Sequence, residues 1–143
     1  MTALTADRHT PEREGGTYSY PIASNTLCYA GGLATVNASG YVRPGTVDGA
    51  SPTSVTVGRF CRRYDNRTAA EQINQATVAE VEYGIFRWDN YVTDPVTVAS
   101  ILDPCYVLDD HTVAATSATN TRTVAGTVMA VDSDGVWVAT GMP

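Results

Sequence analysis

The segment "ATVAEVEYGIFRW", Ala76–Trp88, alternates apolar and polar residues with a period of two. A strand turns that period into one buried face, because successive side chains leave a β-backbone on opposite sides. Ala79, Val81, Tyr83 and Ile85 are expected on one face, with Glu80 and Glu82 opposite. After Gly84 the other face also turns aromatic, with Phe86 and Trp88. That switch predicts a bulge at Gly84, or burial on both sides near a contact surface.

The same reading extends along the chain. "TYSYPIA" alternates Tyr18, Tyr20 and Ile22 against polar partners, and "SVTVGRFCRRY" sets Val55, Val57 and Cys61 on one face. "NASG", Asn37–Gly40, is a turn in which Gly40 supplies positive φ. The last third reads as two hairpins, "CYVL-DDH-TVAAT" and "TVAGTVMAV-DSDG-VWVAT". β-Branched Val and Thr dominate these segments, which suits strands and disfavours helices.

Helix signals are few. Thr68 and Glu71 form a capping-box pattern, so residues 66–76 are either two helical turns or a loop. In "TDPVTVASILDP", Asp94 is a candidate N-cap with Pro95 at the first helical position; β-branched content limits it to a short helix or turn before Pro104. Residues 1–16 are polar and show neither period, so they read as a flexible arm. The fold class is mainly β: a compact antiparallel barrel-like or sandwich-like domain over residues 17–143, with that N-terminal arm and at most one or two short helices.

The chain has 143 residues, enough for one domain with a core of its own. Its net charge is −6, and every one of its nine basic residues is arginine. An acidic chain without a basic stripe is a poor nucleic-acid binder, because phosphate neutralisation dominates that affinity. No apolar run approaches the roughly 18 residues of a membrane span. The N-terminus has no signal-peptide core, so export by that route is not expected. Cys28, Cys61 and Cys105 lie far apart without metal-ligand spacing and read as buried, reduced thiols.

Asp109, Asp110 and His111 are the obvious candidate for chemistry. Acid–base catalysis needs groups that converge on one reacting atom. Neighbours in a strand point to opposite faces, and in a short turn they splay into water; Asp also favours turns by bonding its own backbone. The only other histidine, His9, lies in the arm, so no rigid histidine pair exists for zinc. "DSDG", Asp132–Gly135, lacks the further oxygens of a calcium loop. "AGG", Ala30–Gly32, lacks the residues of a phosphate loop. Tyr83, Phe86, Trp88, Tyr91 and Trp137 can be read as a sugar platform, or as core and subunit contacts. The expectation is a binding or structural protein rather than an enzyme, with no cofactor and no metal. Its rivals are a carbohydrate- or receptor-binding module and a small hydrolase or metal enzyme using Asp109, Asp110 and His111.

Five segments, "LTADRHTPEREG", "YAGGLATVNASGYVRPG", "VEYGIFRWDN", "CYVLDDHTVAAT" and "RTVAGTVMAVDSDGVWVAT", occur in this order. In them the chain resembles the small head-decoration, or capsid cement, proteins of tailed bacteriophages. The similarity spans nearly the whole chain; Asp65–Thr77 departs from it by being longer. The resemblance implies a virion protein without enzymatic activity, made in the host cytoplasm. It would sit on the outer face of the expanded head, commonly as a trimer and sometimes as a dimer. Its partner would be the major capsid protein, whose subunits it bridges; neither nucleic acid nor membrane is implied.

An arm that orders on a partner by adding a strand to an edge fits that role. On this reading residues 2–16 clamp the capsid. Arg8, His9 and Arg13 are the candidate contacts, and Tyr18 and Tyr20 anchor the arm's root. Phe86, Trp88 and Tyr91 are the candidate self-association contact, since aromatic residues are enriched at such surfaces.

Overall fold

The computed structural model describes residues 5–6, 8–9, 16–47, 49, 51–67 and 76–141. In chain order its strands are β1 (Thr17–Pro21), β2 (Leu27–Cys28), β3 (Leu33–Val36), β4 (Val42–Pro44), β5 (Val55–Phe60), β6 (Tyr64–Asp65), β7 (Val78–Glu82), β8 (Gly84–Asn90), β9 (Pro104–Val107), β10 (Thr112–Ala114), β11 (Val124–Asp132) and β12 (Gly135–Thr140). The one helical element among the described residues is a 3-10 turn, Val98–Ser100. No described helix is long and apolar enough to cross a membrane. The mainly β, mainly antiparallel fold read from the alternation is what the chain adopts. The capping-box stretch falls largely outside the described residues.

Two large β units share the chain, beside a two-stranded ribbon of β2 and β6 in which Leu27 pairs with Asp65 and Cys28 with Tyr64. One is a five-stranded sheet in the order β1-β7-β5-β3-β4, and the other is a closed barrel, β10-β8-β12-β11-β9. Only the β8–β10 pair of the barrel is parallel, with Thr112 beside Asp89 and Val113 beside Asn90. Each unit has its own apolar cluster. Ile22, Val42, Phe60, Ala79 and Val81 fill the first. Trp88, Val107, Val113, Val128 and Val138 fill the barrel, joined by Leu33 from the sheet.

The expected hairpins both form. Val107 pairs with Val113 across the first, and Asp132 pairs with Gly135 at the end of the second. In the turn at Asn37, its carboxamide oxygen accepts the N–H groups of Ser39 and Tyr41, and Gly40 takes φ +88°.

The run through Gly84 differs from a bulge. β7 pairs with β1 and β5 in the sheet, whereas β8 pairs with β12 and β10 in the barrel. The backbone changes sheet at Tyr83, and the inward set passes from odd to even residues. Ala79 and Val81 are buried before the crossing and Trp88 after it, while Ile85 is turned out, 54% exposed.

β5 also inverts its expected face. Thr56, Gly58 and Phe60 point inward, whereas Val55 and Cys61 are exposed. Burial alternates unbroken along the strand, and against β3 there is a register shift: Ala34 pairs with Gly58 but Thr35 pairs with Thr56, leaving Val57 as an extra residue. The inward hydroxyl of Thr56 is satisfied by donating to the Val124 carbonyl at 2.7 Å, which ties the sheet to the barrel. Cys61 is therefore not a core thiol, whereas Cys28 and Cys105 are buried and burial pushes both thiols up to about 12.

Asp94 does not cap a helix. Its carboxylate accepts the Thr116 hydroxyl at 2.6 Å and N–H at 3.1 Å, and the Arg122 guanidinium at 2.9 Å. Charge-assisted bonds across the chain outcompete a cap on a run too β-branched to propagate a helix.

The bulge makes Gly58 irreplaceable. It sits at φ +142°, and an added Cβ would lie 2.2 Å from the Glu82 carbonyl oxygen of β7. Gly58→Ala should destabilise the fold by about 2 kcal/mol or more. The check is the urea midpoint of the variant against wild type; an unchanged midpoint contradicts the bulge.

Candidate functional site

Three places carry the candidate residues: the root of the arm, the aromatic strand β8, and the turn between β9 and β10.

At the arm's root, β1 is the edge strand of the sheet. Gly16 accepts the Tyr83 N–H at its carbonyl, and Ile22 donates its N–H to Thr77, both at 2.9 Å. Even-numbered backbone groups therefore face β7, and the N–H and C=O groups of Thr17 and Ser19 point away from the sheet. The edge closes only beyond Pro21, where Ile22 bridges to Val42 and the Ala23 N–H reaches the Val42 carbonyl at 2.9 Å. Tyr18 stacks on Tyr83, with ring centroids 5.9 Å apart, and Tyr20 packs against the sheet's apolar cluster. Both tyrosines thus fasten β1 to its own sheet. Arg8 and His9 are exposed, and Arg13 lies outside the described residues.

On β8, Trp88 is not a surface contact. It is 4% exposed inside the barrel, and its indole N–H donates to the buried Thr140 hydroxyl at 2.9 Å. Closure of the barrel turns it inward, so it is a core residue and the proposed aromatic contact loses its centre. Phe86 packs edge-on against Trp88, with 6.3 Å between centroids, and Arg59 lies 4.1 Å over its ring. Tyr91 is half-buried, and the Arg122 guanidinium lies 5.6 Å from its ring centre. The remaining platform candidates are also engaged. Tyr83 meets Tyr18, while Trp137 donates its indole N–H to Asp132 at 3.0 Å. Replacing Trp88 with Ala should destabilise the fold by about 3–5 kcal/mol, as removal of a large core side chain does. Calorimetric melting checks this; a full-stability variant would return Trp88 to the surface.

The turn between β9 and β10 is a turn, as its residues imply. The Asp109 carboxylate accepts the His111 backbone N–H at 2.9 Å. Its side chains do not splay, however. One ligand atom from each of Asp109, Asp110 and His111 lies within 4.8 Å of the others. The parallel β8–β10 pairing adds a fourth group, since His111 Nδ1 lies 3.1 Å from Asp89 and Nε2 lies 3.5 Å from Asp109. Only the imidazolium can donate from both ring nitrogens. The Asp89 contact, helped by the charges of Asp109 and Asp110, raises the His111 pKa above 6.5. Asp89 was missed from the sequence because it lies 22 residues away from His111.

Chemically this cluster is an ion-paired latch between two barrel strands. When His111 is protonated, the imidazolium balances these carboxylates, and a cation would have to displace it. The adjoining hollow, about 260 Å³ beside Tyr29–Gly32, gives a substrate little enclosure. Because the folded pKa is raised, the latch contributes fully below pH 6.5 and is lost as pH rises through the folded value. His111 is 64% exposed, so solvent limits the contribution to under about 1 kcal/mol. His111→Gln should remove this shallow loss of stability as pH rises from below 6.5 into the alkaline range. Denaturant titrations at both ends of that range check the sign; an unaltered pH dependence argues against the latch.

A larger cleft, about 480 Å³, lies where the sheet meets the barrel, between Val55, Tyr106, Asn120, Arg122 and Val124. One rim is a turn in which Ala118, Thr119 and Asn120 all take positive φ, at 49°, 62° and 59°. The Ser117 carbonyl holds it by accepting the Thr121 and Arg122 N–H groups at 2.8 and 3.2 Å. The turn contains no glycine; its sequence signal is the Ser117–Thr121 cluster, "SATNT", in which Asn120 tolerates the left-handed conformation.

In comparisons with known proteins, no family model, curated protein or solved structure matched the chain.

Proposed function

We propose that this chain is a decoration, or cement, protein of a tailed-bacteriophage head. It binds the outer surface of the expanded shell without catalysing a reaction. Its partner is the major capsid protein, whose neighbouring subunits it bridges, and copies of the chain associate with one another, as trimers or dimers. The resemblance of five ordered segments motivates the reading. The observation that carries it is the open edge at Thr17–Pro21, which lies directly after the polar stretch 1–16.

An open strand edge presents unpaired backbone donors and acceptors to any extended segment that comes alongside. The main chain supplies affinity in such pairing, and the alternate side chains supply register. Ordering a polar arm on a partner weakens each single contact. A shell with many copies recovers the loss, because each copy touches several subunits at once. The acidic surface keeps the free protein soluble and off nucleic acid.

The experiment is direct. Purified protein is mixed with undecorated expanded heads, and the particles are imaged. Full-length protein should saturate ordered positions on the shell. Removing residues 1–15 should lower occupancy at least about tenfold, because one of the joined contacts is lost. Wild-type occupancy without the arm removes the arm from the mechanism, and failure of the full chain to bind any expanded head rejects the reading.

A further inference from the structure

In a chain of net charge −6, two arginines meet in one cleft, each with a carboxylate at ion-pair distance. Arg59 of β5 and Arg87 of β8 line a single cleft of about 520 Å³, with Gly31, Ile85, Phe86 and Trp137 around them. Each guanidinium lies over a ring: Arg59 is 4.1 Å from the centre of Phe86, and Arg87 is 5.8 Å from that of Trp137. A cation held over a ring is fixed in place, yet its N–H donors stay available.

The carboxylates nearest these two residues do not fill those donors. Glu82 stands 3.6 Å from Arg59 and Asp134 stands 4.0 Å from Arg87, both beyond hydrogen-bonding distance. Neither guanidinium hydrogen-bonds to another described residue. Both side chains keep close to half their surface in solvent, 42% and 49%. An anion entering the cleft therefore meets two positioned cations with donors to spare. It competes for them with Glu82 and Asp134, which stand near but make no hydrogen bond; guanidinium matches carboxylate in geometry as well as charge.

We propose that the Arg59–Arg87 cleft docks an acidic peptide segment of a partner protein. Two carboxylates of the segment each engage one guanidinium, and an apolar residue between them rests on Ile85, which is 54% exposed. An acidic saccharide fits less well. It would stack on aromatic faces, and the Phe86 and Trp137 rings already carry the two arginines. Strand addition is excluded here because β8 has a neighbour on both sides, β12 and β10. Recognition is through side chains, in contrast to the β1 edge. The inference does not rest on the decoration reading.

The test uses the full chain and a short fluorescein-labelled peptide of alternating glutamate and leucine, followed by fluorescence anisotropy. The peptide should bind, and added salt should weaken it. The double variant Arg59→Gln/Arg87→Gln should weaken binding by about tenfold or more. Arg62→Gln, an arginine outside the cleft whose side chain is 71% exposed, should leave binding unchanged. Ile85→Glu keeps both arginines and places a carboxylate in the cleft, so it should also abolish binding and decides the matter if the double variant misfolds. Equal binding of the glutamine counterpart, or equal loss in Arg62→Gln, overturns the proposal. So does absence of peptide binding, with or without binding of oligogalacturonate. Peptide binding without head binding would count against the decoration reading alone.

Discussion

The ladder of backbone hydrogen bonds along Val78–Asn90 is the constraint on which both halves of the molecule depend. Its first part pairs with β1 and β5, and its second with β12 and β10. At the change of partner Tyr83 stays fastened by donating its N–H to Gly16. Neither unit can shift its register along this run without dragging the other, because a one-residue slip reverses every side chain. The close approach of Gly58 to Glu82 lies at the same crossing, and so does Gly141, whose Cβ position faces the Val57 carbonyl at 2.6 Å. Glycines occur there because two layers of backbone meet with no room for a side chain.

That single strand also explains where the surface chemistry lies. Within β8 the even residues Phe86 and Trp88 go to the barrel interior and its rim, while the odd residues Ile85, Arg87 and Asp89 face outward. Arg87 and Ile85 enter the cleft with Arg59, and Asp89 holds His111. Closure leaves the barrel without a free edge, and β2 and β6 are only two residues long, so extended main-chain pairing with another molecule falls to the five-stranded sheet. β4 offers little there: it is three residues long, contains a proline and is bridged by Ile22. β1 remains.

Elements whose information is local were legible in the sequence. Period-two alternation located β7, and Gly, Asn and Asp located the turns at Asn37, Asp109 and Asp132. What escaped was non-local. The buried face of β5 is Thr56, Gly58 and Phe60, because Thr56 finds a partner in the Val124 carbonyl of the barrel, which alternation within β5 cannot reveal. Trp88 looked like surface because an aromatic on a second face signals either contact or enclosure, and only barrel closure decides between them. Asp94 looked like a cap because its true partners, Thr116 and Arg122, lie 22 and 28 residues away. The candidate site was visible in part for the same reason: the Asp-Asp-His triplet is contiguous, but Asp89 reaches it only through the parallel β8–β10 pair.

Charge sets the terms on which the arginine cleft can act. An acidic segment approaching a chain of net charge −6 is repelled over the whole surface, though salt confines that repulsion to about 8 Å at physiological ionic strength. Inside that range Glu82 and Asp134 offset the two guanidiniums, so attraction is confined to contact distance, where a hydrogen-bonded carboxylate gains more than the looser pairs at 3.6 and 4.0 Å. Such a cleft is a poor long-range lure and a good short-range lock. In the proposed role it would act on segments already brought close by another contact, and the open edge of β1 is the part of the sheet placed to supply one through the main chain. Weak, separately insufficient contacts that must be engaged together discriminate an ordered array of partners from a single free copy, because only the array presents both at once.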